Sequence, residues 1–131
     1  MSEGIWYWGD TDTGKSRRSR DECDWNYVIY NFGGFQDEFE EGAALIFEDI
    51  DPSSNQNALQ VLKNYCDGYP VRWEVKYKAP RRVHFKRVFV TSNHPPSSFF
   101  LGKDLDAIEK RYRVVRLSHH TGMEEEPVVT S

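Results

Sequence analysis

Cysteine is scarce in this sequence. Cys23 and Cys66 are the only two, far apart and in no C-x-x-C spacing. That argues against a disulfide framework and predicts two free thiols in a reducing compartment. Long apolar runs are missing too: none approaches the length of a membrane helix, so no membrane partner is expected. Residues 1–4 lack the basic start and apolar stretch of a signal peptide. Positive charge is not in excess. With 17 Lys and Arg against 21 Asp and Glu, the net charge is -4, which argues against coating nucleic acid through overall charge alone.

What is present suits one folded domain over residues 1–131, with a core over 5–118 and a tail over 119–131. The hydrophobic fraction is 38% and the aromatic fraction 15%, enough for a core that needs no staples. Ile5–Trp8 is an aromatic run ending at Gly9, and it reads as a buried strand. A helix is predicted from Gly14 to about Arg20, and a strand over Asn26–Asn31. Ala44–Phe47 is a continuous apolar run, the pattern of a strand buried on both faces. A helix is predicted from Ser54 or Asn55 to Tyr65, with Cys66 packed beside it. Val71–Lys78 alternates like a strand with one charged face, and a second strand is expected from Val83 through Thr91. A helix over Leu105–Tyr112 and a strand over Val114–Leu117 complete the core, and Glu124 onward reads as a frayed tail. Strands alternating with helices predict an α/β fold: a mostly parallel central sheet flanked by helices, with a basic β-hairpin.

One stretch carries specific chemistry. Gly9-Asp10-Thr11-Asp12-Thr13-Gly14-Lys15-Ser16 matches G-x-x-x-x-G-K-[ST] in full, between a predicted strand and a predicted helix. Glycines let successive amides point into one concavity, and a helix N-terminus faces the phosphates. Lys15 is expected to reach the outer phosphates and the Ser16 hydroxyl to ligate Mg2+. The expected nucleotide contacts are therefore Gly9, Asp10, Thr11, Asp12, Thr13, Gly14, Lys15, Ser16 and the adjoining Arg17. Asp10 and Asp12 are odd in a phosphate loop, and their side chains are expected to point outward.

Glu48-Asp49 ends the apolar strand, where acids orient a metal shell and an attacking water. Glu48 is favoured for the metal and Asp49 for the water, with the reverse order left open. Val88–Ser92 delivers Asn93 at a strand end, either to contact a phosphate or water or to form the turn before His94-Pro95-Pro96.

These three elements, in this order and this close together, resemble the superfamily 3 helicases. The resemblance is strongest to the replication initiator (Rep) proteins of circular single-stranded DNA viruses, such as circoviruses and geminiviruses. Val90-Thr91-Ser92-Asn93 looks like that family's motif C, and Phe47–Pro52 like its Walker B strand and turn. Tyr69–Lys76 with Lys78 resembles its B-prime segment. Ala107–Arg113 resembles the helix that carries its arginine finger. The family commonly has Asp-Asp where Glu48-Asp49 stands here, and adjacent arginines where Lys110-Arg111 and Arg113 stand.

The resemblance implies an AAA+-like P-loop ATPase, hexameric in its full-length setting, that uses ATP and Mg2+ to move along single-stranded DNA. Rolling-circle replication in a host nucleus is its implied setting. Lys15, Glu48, Asp49 and Asn93 are the implied catalytic set. Arg111, or else Arg113, is the implied finger, reaching a neighbouring subunit's site. The family's N-terminal endonuclease and linking oligomerisation helix are not read in these residues, so an excised and monomeric domain is expected.

Charge is unevenly spread. Asp21–Asp51 holds ten acids and no lysine or arginine, whereas Arg72–Arg87 holds seven basic residues and one acid. A basic hairpin interleaved with Trp73, Tyr77, His84 and Phe85 suits a single-stranded backbone. Lys76 and Lys78 are the first candidates for DNA, then Arg81, Arg82 and His84. The bland alternative is a solvated edge strand. The two polarities also suit a ring in which one subunit's acidic face meets the next one's basic face. An RNA-directed motor of the same superfamily and a nucleotide-dependent assembly module are the competing readings. His119-His120 is weak evidence for a metal, and no transition metal is expected.

Overall fold

The computed structural model describes residues 2–55 and 57–118, and the backbone of 124–125. Glu3–Trp8 forms β1. Its alternation sends Ile5 and Tyr7 into one core and Trp6 into the other. Tyr27–Ile29 (β2), Ala44–Ile50 (β3), Arg87–Ser92 (β6) and Tyr112–Leu117 (β7) join it in one sheet. The order is β2-β3-β6-β1-β7, with a final two-residue strand, Glu124–Glu125 (β8), beyond β7. All these pairings are parallel except that of β8 with β7. Val71–Trp73 (β4) and Arg81–Val83 (β5) form a separate antiparallel hairpin.

Both sheet faces are covered, as parallel sheets require. One face carries Trp6, Leu45, Phe47, Val88 and Val90 beneath Leu59–Cys66 (α2), Gly102–Arg111 (α3) and the hairpin. Its centre is aromatic: Trp73 lies edge-on to Phe39 and Tyr65, with ring centroids 5.4 and 6.3 Å away. Each fully buried ring of this size adds about 3 kcal/mol of transfer free energy. The other face carries Ile5, Tyr7, Ala44, Ile46, Phe89 and Val115. There Lys15–Glu22 (α1) lies over β1, with the Arg18 guanidinium 5.9 Å from the Tyr7 ring centroid.

Several sequence expectations need correction. Strand alternation over Val71–Lys78 ends at Trp73, because Lys76–Lys78 turns with Tyr77 at φ 66°. The strand expected from Val83 through Thr91 is two strands, broken at His84–Lys86. Trp73 and Phe85 are core residues, not part of a nucleic-acid face, because their rings fill the space under α2. The second helix starts at Leu59 rather than Ser54, since Asp51–Asn55 closes on itself through Asn55 Oδ1 and the Asp51 amide at 2.8 Å. Trp25 is 58% exposed. Glu124–Glu125 pairs with β7 instead of fraying. His119 and His120 lie outside the described residues.

Gly4 shows how tightly the covered face is packed. A Cβ there would meet the Arg111 carbonyl oxygen at 2.5 Å and the Cys66 sulfur at 2.9 Å. Gly4→Ala is therefore expected to lose about 1–3 kcal/mol in chemical denaturation. Gly34→Ala, in open space, is expected to stay within about 0.5 kcal/mol of the parent.

Candidate functional site

The loop after β1 leaves the sheet between β6 and β7, where the parallel order switches direction. Gly9 must be glycine here. A Cβ would lie 2.4 Å from the Leu117 carbonyl oxygen, and φ is 156°. Gly14 precedes α1 in a left-handed conformation at φ 85°, ψ 18°. Asp12 shares that region at φ 65°, which Asp tolerates better than most residues. Asp10 and Asp12 are exposed at the loop surface.

Lys15 folds back into the loop it follows. Its ammonium donates to the carbonyls of Gly9 at 3.0 Å and Asp10 at 2.8 Å. Burial lowers the Lys15 pKa, against the opposing pull of Asp49, Asp10 and Asp12. A phosphate oxygen is a stronger partner for this cation than a peptide carbonyl.

The ends of β3 and β6 meet the same space. Ser16 Oγ donates to Glu48 Oε1 at 2.7 Å, and Thr91 Oγ1 donates to the same oxygen at 3.1 Å. The other carboxylate oxygen, Oε2, takes a close hydrogen bond from Arg20 of α1. Burial pushes the Glu48 carboxyl pKa up, but the hydrogen bonds from Arg20, Ser16 and Thr91 outweigh it. The result lies below the ordinary carboxylate value. Beside it, β3 bulges between Phe47 and Ile50, and Asp49 takes φ 51°. The Asp49 amide donates to Thr91 Oγ1 at 2.8 Å.

Together Thr11, Asp12, Gly14–Arg17, Glu48, Asp49, Thr91 and Asn93 line an open cleft of about 460 Å3. Of the nucleotide-contact and catalytic residues expected from sequence, Thr11, Asp12, Gly14, Lys15, Ser16, Arg17, Glu48, Asp49 and Asn93 share it. Gly9, Asp10 and Thr13 instead line a neighbouring cavity with Trp8 and Arg116. Sequence reasoning missed Arg20, and it named Thr91 only within the motif C resemblance, with no role. Arg20 stands four residues after Ser16, on the same helix face. Thr91 is a polar residue inside an apolar strand run. Those two spacings were the available signals.

A hydroxyl and a carboxylate oxygen 2.7 Å apart form a hard, incomplete ligand pair. It fits Mg2+, which keeps waters and takes phosphate oxygens as further ligands. Among the described residues no cluster of three or more His, Cys, Asp or Glu can hold a metal.

Arg111 and Arg113 flank the start of β7, beside Gly4 at the opposite end of β1 from the phosphate loop. Arg111 Nε donates to Asp67 at 2.6 Å, and Arg113 occupies an exposed strand position.

The basic hairpin is more self-compensated than its sequence suggests. Lys78 pairs with Glu38 at 3.0 Å, and Arg81 approaches the same carboxylate at 3.9 Å. Part of the acidic segment thus folds against the hairpin of its own chain. Lys76 leans over the Tyr77 ring at 5.1 Å, and Tyr77 is 93% exposed. Arg82 stands opposite Arg72 on the exposed face, and His84 shares a 3.3 Å hydrogen bond with Ser2.

No protein-family model and no curated protein sequence matches this chain. Among the solved structures that match it is a crystal structure of JCV helicase bound to a thiazolopyridine-bearing acetamide. The TM-score is 0.60 at 19% identity, covering 88% of this chain and 36% of that one. The chain thus spans about a third of that helicase's length. At this identity the likeness is one of fold: a mostly parallel α/β sheet of the P-loop NTPase kind, shared with a viral helicase.

Proposed function

We propose that this chain is the ATPase motor domain of a superfamily 3 helicase, of the kind found in Rep proteins of circular single-stranded DNA viruses. Its work would be translocation on single-stranded DNA in rolling-circle replication, in a host nucleus, as part of a hexameric ring. The observation that carries the reading is the convergence of Lys15, Ser16 and Glu48 at one cleft, with Ser16 Oγ 2.7 Å from Glu48 Oε1.

The chemistry follows from where these groups stand. Gly14, Lys15 and Ser16 line the cleft at the N-terminus of α1, and the backbone amides there would hold phosphate oxygens. The Lys15 ammonium exchanges its loop carbonyls for the outer phosphates. Mg2+ held by Ser16 and Glu48 would neutralise charge on the transferring phosphoryl group. Asp49 accepts a proton from the attacking water, and Asn93 orients that water or the phosphate. An arginine from the neighbouring subunit, Arg111 or Arg113, supplies the remaining positive charge. Their position far from their own chain's loop supports a role in trans.

Fluorescent-nucleotide binding and steady-state ATP hydrolysis with Mg2+ test the site. Turnover is expected to rise with protein concentration and with single-stranded DNA. Lys15→Ala is expected to lower nucleotide affinity by roughly tenfold or more and to abolish turnover, since it removes a charge-assisted bond to phosphate. Unchanged binding in that variant would sink the reading.

The hairpin has its own test. Lys76→Ala/Lys78→Ala is expected to weaken single-stranded DNA binding. The salt dependence should become shallower by about 0.7 in log–log slope for each phosphate that the variant no longer neutralises. A DNA affinity and salt slope equal to the parent's would assign those lysines to the solvated surface.

A further inference from the structure

The cation-ligand pair does not stand alone, because an arginine is built into it. Arg20 holds Glu48 Oε2 through one arm of its guanidinium. Its other arm donates to the Ser16 carbonyl at 3.1 Å. The plane of the group is seated over the Tyr27 ring, 4.6 Å from its centroid. The side chain is only 14% exposed. It therefore touches both residues expected to ligate Mg2+, and it is itself fixed by an aromatic floor.

From this we infer that Arg20 is a positioning residue that makes cation uptake at Ser16–Glu48 depend on nucleotide. The inference rests on the reading of the cleft as a triphosphate–metal site. Two effects combine at this site. The first is geometric: with Oε2 taken by Arg20, only the Oε1 edge of Glu48 faces Ser16, so the carboxylate is turned toward one cation position. The second is electrostatic. Arginine carries a permanent charge. The pair Arg20–Glu48 is neutral, and among the other lining residues Lys15 and Arg17 balance Asp12 and Asp49. A divalent cation arriving alone finds no net negative charge and meets a guanidinium at short range. A triphosphate brings the missing negative charge, and the cation then enters with it. Removing the positive charge of Arg20 leaves Glu48 uncompensated and opens the site to the bare ion.

Binding of Mn2+, read from the loss of the free-ion electron paramagnetic resonance signal, tests this without any turnover. In the wild type, Mn2+ is expected to bind weakly alone and tightly with ATP. Arg20→Gln keeps an N–H donor near Glu48 but removes the charge. It is expected to tighten Mn2+ binding without nucleotide by roughly tenfold, the scale of one nearby unit charge in a partly hydrated cleft. Arg20→Lys keeps the charge, and its metal affinity is expected to stay within about twofold of wild type, while its turnover falls because the two-armed geometry is lost. Should Arg20→Gln not fold, Arg20→Met carries the same charge change.

A lowered melting temperature with unchanged Mn2+ affinity in the glutamine and methionine variants would make Arg20 a purely structural ion pair and overturn the inference. So would equal tightening in the lysine variant. A wild-type protein that binds no nucleotide with Mn2+ or Mg2+ overturns the reading of the cleft and this inference together. Intact nucleotide binding with no metal shift overturns the inference alone.

Discussion

Everything at the cleft depends on β1 being a central strand with a parallel neighbour on each side. Hydrogen-bonded to β6 through Glu3–Trp8 and to β7 through Gly4–Trp8, it must bury both faces, and its alternating Ile5, Trp6 and Tyr7 do so. Glycines stand near its two ends for different reasons. Gly4 lets the end of α3 and Cys66 close over the sheet, while Gly9 lets the chain turn away beneath the Leu117 carbonyl. Because β3 and β6 run parallel to β1, their carboxyl ends reach the same edge. That single topological fact delivers Lys15, Glu48, Asp49 and Asn93 to one place from positions spread over most of the chain.

The parts of the molecule legible from sequence are those where local pattern and global role coincide. Ile5–Trp8 and Ala44–Phe47 read as buried strands because strands covered on both faces need continuous apolar runs. The phosphate loop read clearly because its glycines answer to backbone geometry, and that geometry is local. The hairpin was legible in kind but not in extent. Val71–Lys78 has strand periodicity, yet pairing with β5 stops at Trp73; Val75 still packs on the core and bridges to Gln36 before the chain turns at Lys76. Periodicity reports which side chains alternate; it does not report where the supporting layer ends. Arg20 escaped for a related reason. On a polar helix, a half-buried arginine looks like any solvated one until its partner, 28 residues away, is brought beside it.

The charge pattern shows the same limit at a larger scale. Runs of opposite sign in the sequence suggested faces that meet between subunits. Within one chain, folding also brings Glu38 against Lys78 and Arg81. Exposed pairs of this kind contribute little to stability, about 0–1 kcal/mol. Their effect on the hairpin is of another kind: they lower its net positive field and orient what remains. Lys76, Arg82 and Lys86 are the hairpin cations that no carboxylate within salt-bridge distance compensates among the described residues.

Backbone strain sharpens which part of the hairpin matters. Non-glycine residues at positive φ are uncommon and, for bulky side chains, are outliers. Tyr77 and Trp25 both take φ near 60°, so strain by itself marks no site. Trp25 lies in the connection from α1 to β2, where its indole donates to Asp21 at 2.9 Å. Tyr77 stands at the hairpin tip between two lysines, almost wholly in solvent. A turn closes the chain there, the Lys78 amide donating to the Val75 carbonyl at 3.1 Å, and that turn sets the Tyr77 backbone. The base of the same hairpin, by contrast, is pinned by Trp73, Val83 and Phe85 in the core. A base anchored in the core thus carries an exposed aromatic tip. Under the proposed function, that tip would present a ring and its flanking cations to an extended polyanion, where base stacking and backbone charge are met together.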